Sequence, residues 1–394
     1  DQLQVGMYIA KLEGDESVKK LRSEGLITRQ TTVDQMQALA ITGIVIDTQK
    51  GIDCVSSKPY VAVKSFDMST QSLAKEDIGV TKSAYGDEIK KASELKDKAL
   101  SLIGDVMNDV KLGRALDLTS VDDVTSGIVD SLDQNQNALA SLMRVRSMDT
   151  YLLEHSLNVS VLMGIMARSM GYKSDVIKEL VLGAFIHDIG KIRVPDEILH
   201  KPGKLDGEEW AEMQRHVNYG IEAIQQVDGI SQIAKDICAQ HHEKLDGTGY
   251  PFGLAAEAIE PHSRIASVVD VYDAITADRC YHKGMEPTIA LKRMLTWTGD
   301  HLDKEVVYQL IRSLGVYPPG SLVELESGHI ALVQEVRTMH PNKPLVQMVY
   351  NSKRKKKLDG QLVDLRKHDN FGAIVNAAEP KTYEIKIDDF ILPA

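Results

Sequence analysis

The sequence predicts a multi-domain protein with a mainly α-helical core, a small α/β domain ahead of it and a small β-rich extension behind it. Three observations carry that expectation. The chain has 394 residues, enough for two or three domains that each bury a core. No proline stands between Pro59 and Pro195, a span that suits long helices, because proline removes a helical N–H and clashes with the preceding turn. Short apolar runs of strand length sit near both ends, and Pro318-Pro319 breaks the helical pattern before the last of them.

Composition narrows the class. Hydrophobic residues make up 43% of the chain, yet there are only five Phe and two Trp, so aliphatic side chains and Met must fill the core. Cys54, Cys238 and Cys280 are odd in number and widely spaced, which suggests no disulfide framework and suits a reducing cytoplasm. With no run of eighteen apolar residues and no secretory pattern ahead of Val5, membrane insertion is not expected. A net charge of −11 argues against polymeric nucleic acid, which needs extensive neutralisation by Lys and Arg. A small phosphorylated ligand stays open, because local charge decides such a site.

Val5–Leu12 and Gly43–Asp47 read as short strands, with Thr32–Ala40 a helix begun by Thr31-Thr32. These define an α/β domain over 1–64, followed by a polar linker over 65–85. A helical connecting region, 86–146, holds two stretches of helical periodicity. Asp87–Leu112 carries Ile89, Ala92, Leu95, Ala99, Leu102, Ile103 and Val106, and Val121–Val145 repeats the pattern.

The next helix, Ser147–Met170, sets His155 on one face with Leu152, Val159, Leu162 and Met166. Such a histidine is either a core residue bonded to a carbonyl or a ligand, and the stripe alone leaves both open. Leu180–Lys191 is an apolar helix closing on His187-Asp188, with Gly190 to turn the chain. Imidazole and carboxylate together suit Zn, Fe, Mn, Co and Ni, and a carboxylate can bridge two ions. Lys191 is a helix C-terminal cation or a phosphate contact. Pro195–Lys204 reads as a loop, and Asp206 caps a helix over Glu208–His216. His216 is a solvated partner of Glu212 or a ligand.

His241-His242 lead into a turn. Side chains one residue apart diverge by about 100° on a helix, so a pair serving one metal belongs at a helix end. Asp246, Gly247 and Gly249 supply the reversal, and Pro251 stops a helix from continuing. In Arg264–Arg279, Ile265, Val268 and Val269 bury a face that carries Asp270 inward. A desolvated carboxylate needs a partner, which a metal supplies. Asp273, Thr276 and Arg279 follow at three-residue steps. Arg279 either pairs with Asp278 or Asp273 or contacts a phosphate or a guanine. In the extension, 318–394, strands are expected at Leu322–Leu325, His329–Val336, Leu345–Val349 and Tyr383–Ile387. The basic run Lys353–Lys357 reads as a solvated hairpin turn.

Phe185-Ile186-His187-Asp188-Ile189-Gly190-Lys191, His241-His242 through Gly249-Tyr250-Pro251, and the Asp270-to-Tyr281 element together resemble the HD-GYP family of metal-dependent phosphodiesterases, which cleave bacterial cyclic dinucleotides. The resemblance covers about Ser147–Tyr317 and makes 147–317 the catalytic domain, an HD-type metal phosphohydrolase core. It implies His155, His187, Asp188 and Asp270 on one ion and His216, His241 and His242 on a second, with Asp188 and a hydroxide bridging them. It further implies Asp188 and Lys191 as catalytic residues, and Lys191, Tyr250, Asp273 and Arg279 as substrate contacts. The implied metal is Fe or Mn, with Ni, Co or Zn as alternatives, and the implied substrate is cyclic di-GMP or 3′,3′-cyclic GMP-AMP. Some relatives hold a third ion through a Glu four residues before the first histidine. Tyr151 stands at that position, so two ions are expected. The alternatives are an HD-type phosphohydrolase acting on another nucleotide and a cyclic-dinucleotide receptor with little turnover. The N-terminal domain is a candidate surface for a homodimer or a signalling partner.

Overall fold

The computed structural model describes residues 8–14, 25–27, 33, 41–46, 84–114, 117–146, 151–225, 227–278, 283–336, 340 and 342–392. The chain divides into two units, Asp1–Met68 and Ser69–Ala394. In the first, β1 (Tyr8–Gly14) pairs antiparallel with β2 (Gly25–Leu26) on one edge and β3 (Ile41–Ile46) on the other. Two expected strands are present, each displaced by a few residues, and β2 is an addition. The Thr32–Ala40 helix, apart from Val33, lies outside the described residues, as does nearly all of the 65–85 linker.

The second unit opens with two long helices, α1 (Tyr85–Lys111) and α2 (Leu118–Leu142). Ile89, Ala92, Ala99, Ile103, Val106 and Val110 are buried along α1 at three- and four-residue steps, as an amphipathic helix requires. Asp117 starts α2 by accepting from the backbone N–H groups of Thr119 and Ser120. Next comes α3 (Tyr151–Ser169), buried continuously from Glu154 to Ala167. A helix apolar on nearly every side belongs inside a core, and α3 is the axis on which the site is assembled.

Around it lie α4 (Ser174–Ile186), a 3-10 turn (Ile189–Arg193), α5 (Asp196–Leu199), α6 (Gly207–Gln214), α7 (His216–Gln225) and α8 (Gln232–Gln240). They are followed by α9 (Pro261–Thr276), α10 (Pro287–Leu295) and α11 (Lys304–Leu314). The expected cap is present: Asp206 and Glu209 form a reciprocal capping box at the start of α6.

The C-terminal strands are β4 (Leu322–Leu325), β5 (His329–Glu335), β6 (Leu345–Asn351), β7 (Lys356–Lys357), β8 (Leu362–Asp364) and β9 (Ile374–Ala377). They run in the order β7-β6-β5-β4-β9, with β8 also on β6. Leu322, Ile330, Leu332 and Val349 join the helical core, while Val323, Leu325, Ala331, Val333, Val346 and Met348 form a second cluster. Burial on both faces explains why these strands read as near-continuous apolar runs. The basic run closes the β6–β7 hairpin, Tyr350 opposite Lys357. Two expectations fail: Pro195–Lys204, read as a loop, holds the single-turn helix α5 over Asp196–Leu199, and the last expected strand is absent. Tyr383–Ile387 is not a strand: Pro380–Tyr383 is a 3-10 turn and Glu384 takes the left-handed conformation, φ 51°, which an extended strand excludes. The edge beside β4 is filled by β9 instead.

Candidate metal centre

Asp188 follows directly on α4 and is fully buried. Its Oδ2 lies 3.3 Å from the Nε2 atoms of both His155 and His187, and it accepts from Lys191 Nζ. Its Oδ1 lies 3.3 Å from His216 Nε2 and 3.7 Å from His241 Nε2. The single carboxylate is therefore shared by two sets of donor atoms, His155/His187/Asp188 and Asp188/His216/His241/His242, each within 4.8 Å of one another. Asp270 spans the two sets as well, with Oδ1 3.0 Å from His155 Nε2 and Oδ2 3.7 Å from His242 Nδ1.

One local device orients three of the rings. His187, His216 and His241 each stand one or two residues past the end of a helix, where last-turn carbonyls lack full helical partners. The Nδ1 atoms take up those carbonyls: His187 on Ala184 O at 2.6 Å, His216 on Met213 O at 2.7 Å, His241 on Cys238 O at 3.0 Å. Nδ1 is then the protonated nitrogen and Nε2 carries the lone pair. Those three Nε2 atoms and Asp188 Oδ1 are buried without a hydrogen-bond partner. Orphaned lone pairs converging in a dry interior are costly, and a divalent cation is the group whose chemistry satisfies all of them. The buried His/Asp cluster fits a divalent metal site.

Electrostatics divide the cluster. Burial lowers the His216 pKa, and burial with His241 lowers that of His242 further, so both stay neutral, the form that binds metal. Burial works the same way on His155, but the neighbouring groups, Asp188, Asp270 and Asp273 among them, overrule it and hold its pKa well above the usual range. Burial opposes ionisation of Asp188, yet Lys191 and His187 keep it charged. His155 Nδ1 sits 2.8 Å from Asp273 Oδ2, and Arg146 Nη2 donates to Asp273 Oδ1 at 2.6 Å.

Of the expected residues, His155, His187, Asp188, His216, His241, His242 and Asp270 are brought together from α3, α4, α7, α8 and α9. His241 is the C-cap of α8, the helix end expected for the pair. Lys191 is beside Asp188. Tyr250 lies over His242, ring centroids 4.7 Å apart. Asp273 departs from its expected place against substrate: it is 1% exposed and both its oxygens are engaged by His155 and Arg146. Arg279 lies outside the described residues. Tyr151 stacks against His155 at 6.0 Å, while Glu154 faces Lys96, 3.8 Å away.

Gly190 serves packing more than turning. A Cβ there would stand 2.0 Å from His216 O and 2.4 Å from Gly220 N, so only glycine lets the 3-10 turn lie on α7 and bring Asp188 to His216. Gly249 is alike: a Cβ would meet Glu243 Cα at 2.5 Å, whereas the positive φ of the turn belongs to Gly247. Sequence reasoning passed over Glu243, the residue after the histidine pair. Its buried carboxylate accepts from the N–H groups of Phe252 and Leu254 at 2.7 and 2.8 Å, clamping the loop that carries Tyr250. The signal was a carboxylate inside the most specific motif. Arg146 gave no comparable signal.

Residues 134–306 match the HD domain family. A cyclic di-GMP phosphodiesterase of Pseudomonas aeruginosa is 34% identical over 366 residues, 92% of this chain and 87% of that protein. The chain belongs to the HD-GYP family. A 3′3′-cGAMP-specific phosphodiesterase of Vibrio cholerae is 41% identical over 140 residues of this HD-GYP chain, 35% of it and 26% of the relative. Another from the same organism is 35% identical over 187 residues, 47% and 43%. Residues 1–121 match a domain of unknown function, and 322–386 a KOW domain associated with the HD domain. Among the described residues no helix is long and apolar enough to cross a membrane.

Proposed function

We propose that this HD-GYP chain is a metal-dependent phosphodiesterase that opens the 3′,5′-phosphodiester of a cyclic dinucleotide, cyclic di-GMP or 3′,3′-cyclic GMP-AMP. The observation that carries the reading is Asp188: one buried carboxylate shared between two sets of imidazoles, of which His187, His216 and His241 hold Nε2 lone pairs with no hydrogen-bond partner. The substrate class rests on the relatives named above.

Two divalent ions would be held by His155, His187 and Asp270 on one side and by His216, His241 and His242 on the other, with Asp188 available to both. Mn²⁺ or Fe²⁺ suits this mix of imidazole and carboxylate. Bound there, such ions lower the pKa of water and offset charge that builds on a phosphoryl group. Tyr151 brings a phenol where a further carboxylate would be needed, which supports two ions over three.

The protein's own side chains then have separate tasks. Asp273, anchored by Arg146, holds the His155 ring so that Nε2 faces Asp188 and Asp270. Lys191, paired with the shared carboxylate, would meet a non-bridging phosphate oxygen of the substrate. Glu243 holds the loop that lays Tyr250 over His242 and covers the cluster. A free, buried Cys238, its thiol pushed up to about 12 by burial, suits the cytoplasm we assign to the reaction.

The test is anaerobic purification, metal analysis, and chromatography of products from cyclic di-GMP and 3′,3′-cyclic GMP-AMP. Turnover with close to two ions per chain is expected. Tight binding without turnover in the metal-loaded protein would replace the enzyme with a receptor.

A further inference from the structure

Helix α6 buries none of its side chains. It is held by its capping box, by Lys201 on Glu209, and by Glu212, which pairs with Arg215 and accepts from Tyr219. On this surface helix stands Trp210, 48% exposed and one of only two tryptophans in the chain. A core would use such a side chain for its large apolar area, and α6 makes no such use of it.

Trp210 does have an aromatic neighbour among the described residues. Its ring centroid is 6.2 Å from that of Tyr250, with the planes at 84°. Tyr250 in turn lies 4.7 Å from His242 and 6.3 Å from His216 by ring centroids. A run of rings thus leads from the histidine half of the metal cluster, across Tyr250, to an exposed indole. Two rings at right angles form a corner: a flat π-system laid on one face meets the edge of the other, an arrangement that aromatic quadrupoles favour.

We propose that Trp210 and Tyr250 form a stacking notch for one purine base of the cyclic dinucleotide, seated while the phosphodiester lies at the metal cluster. The inference rests on the phosphodiesterase reading given above and adds where the base binds. Stacking recognises a π-face and not a hydrogen-bonding edge, so the notch accepts guanine and adenine alike. It acts on binding, since it lies beside the ligand histidines and contributes no donor to them.

The experiment compares wild type, Trp210→Ala, Trp210→Phe and, as a control at another exposed aromatic, Tyr308→Ala on α11. Each is assayed on cyclic di-GMP with Mn²⁺. Trp210→Ala raises KM about five- to fiftyfold with kcat and metal content little changed, Trp210→Phe restores most of the loss, and Tyr308→Ala matches wild type. In a Trp297→Phe background, where Trp210 is the remaining tryptophan, rapid mixing with cyclic di-GMP changes the emission, while ribose 5-phosphate, which lacks a base, does not. Normal turnover with an unchanged KM in Trp210→Ala, or an emission that ignores cyclic di-GMP, overturns the notch and leaves the phosphodiesterase standing. Wild type that neither cleaves cyclic di-GMP nor responds to it in emission overturns both.

Discussion

The two halves of the cluster are built from similar residues and wired in opposite ways. On one side His155 is surrounded by Asp188, Asp270 and Asp273, with Arg146 behind it and Lys191 on the shared carboxylate. Positive and negative groups there answer one another within the protein. On the other side His216 and His241 turn Nδ1 to backbone carbonyls and leave Nε2 bare. The histidine half calls for a cation throughout; in the other half His187 leaves Nε2 bare in the same way, but His155 is already compensated within the protein. A metal beside His155 would have to displace a proton or a lysine, whereas one among His216, His241 and His242 would displace neither.

The largest expected effect breaks the histidine half. His241→Ala removes an imidazole whose orientation is set by α8, and both bound metal and cleavage of cyclic di-GMP should collapse. The loss is several kcal/mol of phosphoryl charge stabilisation, on the order of a thousandfold in rate. Elemental analysis beside product chromatography checks it, and full metal content in the variant would remove His241 from the ligand set.

Asp273→Asn strikes the other half one step back from the ligands. The His155 ring loses its charged anchor, and affinity for one of the two ions should fall roughly ten- to a hundredfold, with the other little altered. Isothermal titration with Mn²⁺ resolves the two. Equal weakening of both ions would show that the halves are not separable as drawn.

Lys191→Ala sharpens the comparison by removing the internal cation. Cleavage should fall about tenfold to a hundredfold for loss of a charged hydrogen bond worth ~1.5–3 kcal/mol. Metal should bind no more weakly than in wild type, because Asp188 is released from its ion pair. Loss of metal in this variant would make Lys191 a support of the site and not a phosphate contact.

The smallest effect is in pH. His216 and His242 have pKa values depressed by burial, so they stay neutral as pH falls below the ordinary histidine value, about 6.5, and are protonated only further down. His155 has the opposite shift and keeps its proton to higher pH. Mn²⁺ titrated at mildly acidic pH should therefore fill the histidine half first. The second ion should gain affinity as pH rises through the raised His155 value. Two ions that lose affinity in parallel on acidification would contradict the division.

Much of this was legible beforehand. Periodicity located α1, α2 and α3 to within a few residues, because a helix that packs on one face must repeat its apolar positions. β4, β5 and β6 were equally plain. The failure at Tyr383–Ile387 is instructive: an alternating run of apolar residues has strand character, but a 3-10 turn begun by Pro380 and a left-handed Glu384 redirect it. Gly190 and Gly249 were recognised as special for a partly wrong reason. A glycine in a motif looks like a turn, yet here the cost avoided is collision with a neighbouring backbone.

By itself the sequence determined the donor atoms and their order: a histidine on an apolar stripe, His-Asp at a helix end, a paired histidine before a glycine-rich turn, a buried carboxylate on a late helix. Those patterns are local, so spacing alone reveals them. Tertiary structure alone decided which groups answer which. His155 and Asp273 are 118 positions apart, and Arg146 and Asp273 are 127 apart. Periodicity reports that a face is buried but never what it is buried against. The anchoring of His155 through Asp273 by Arg146, the Glu243 clamp and the corner between Trp210 and Tyr250 are all contacts between segments, created only when the helices pack.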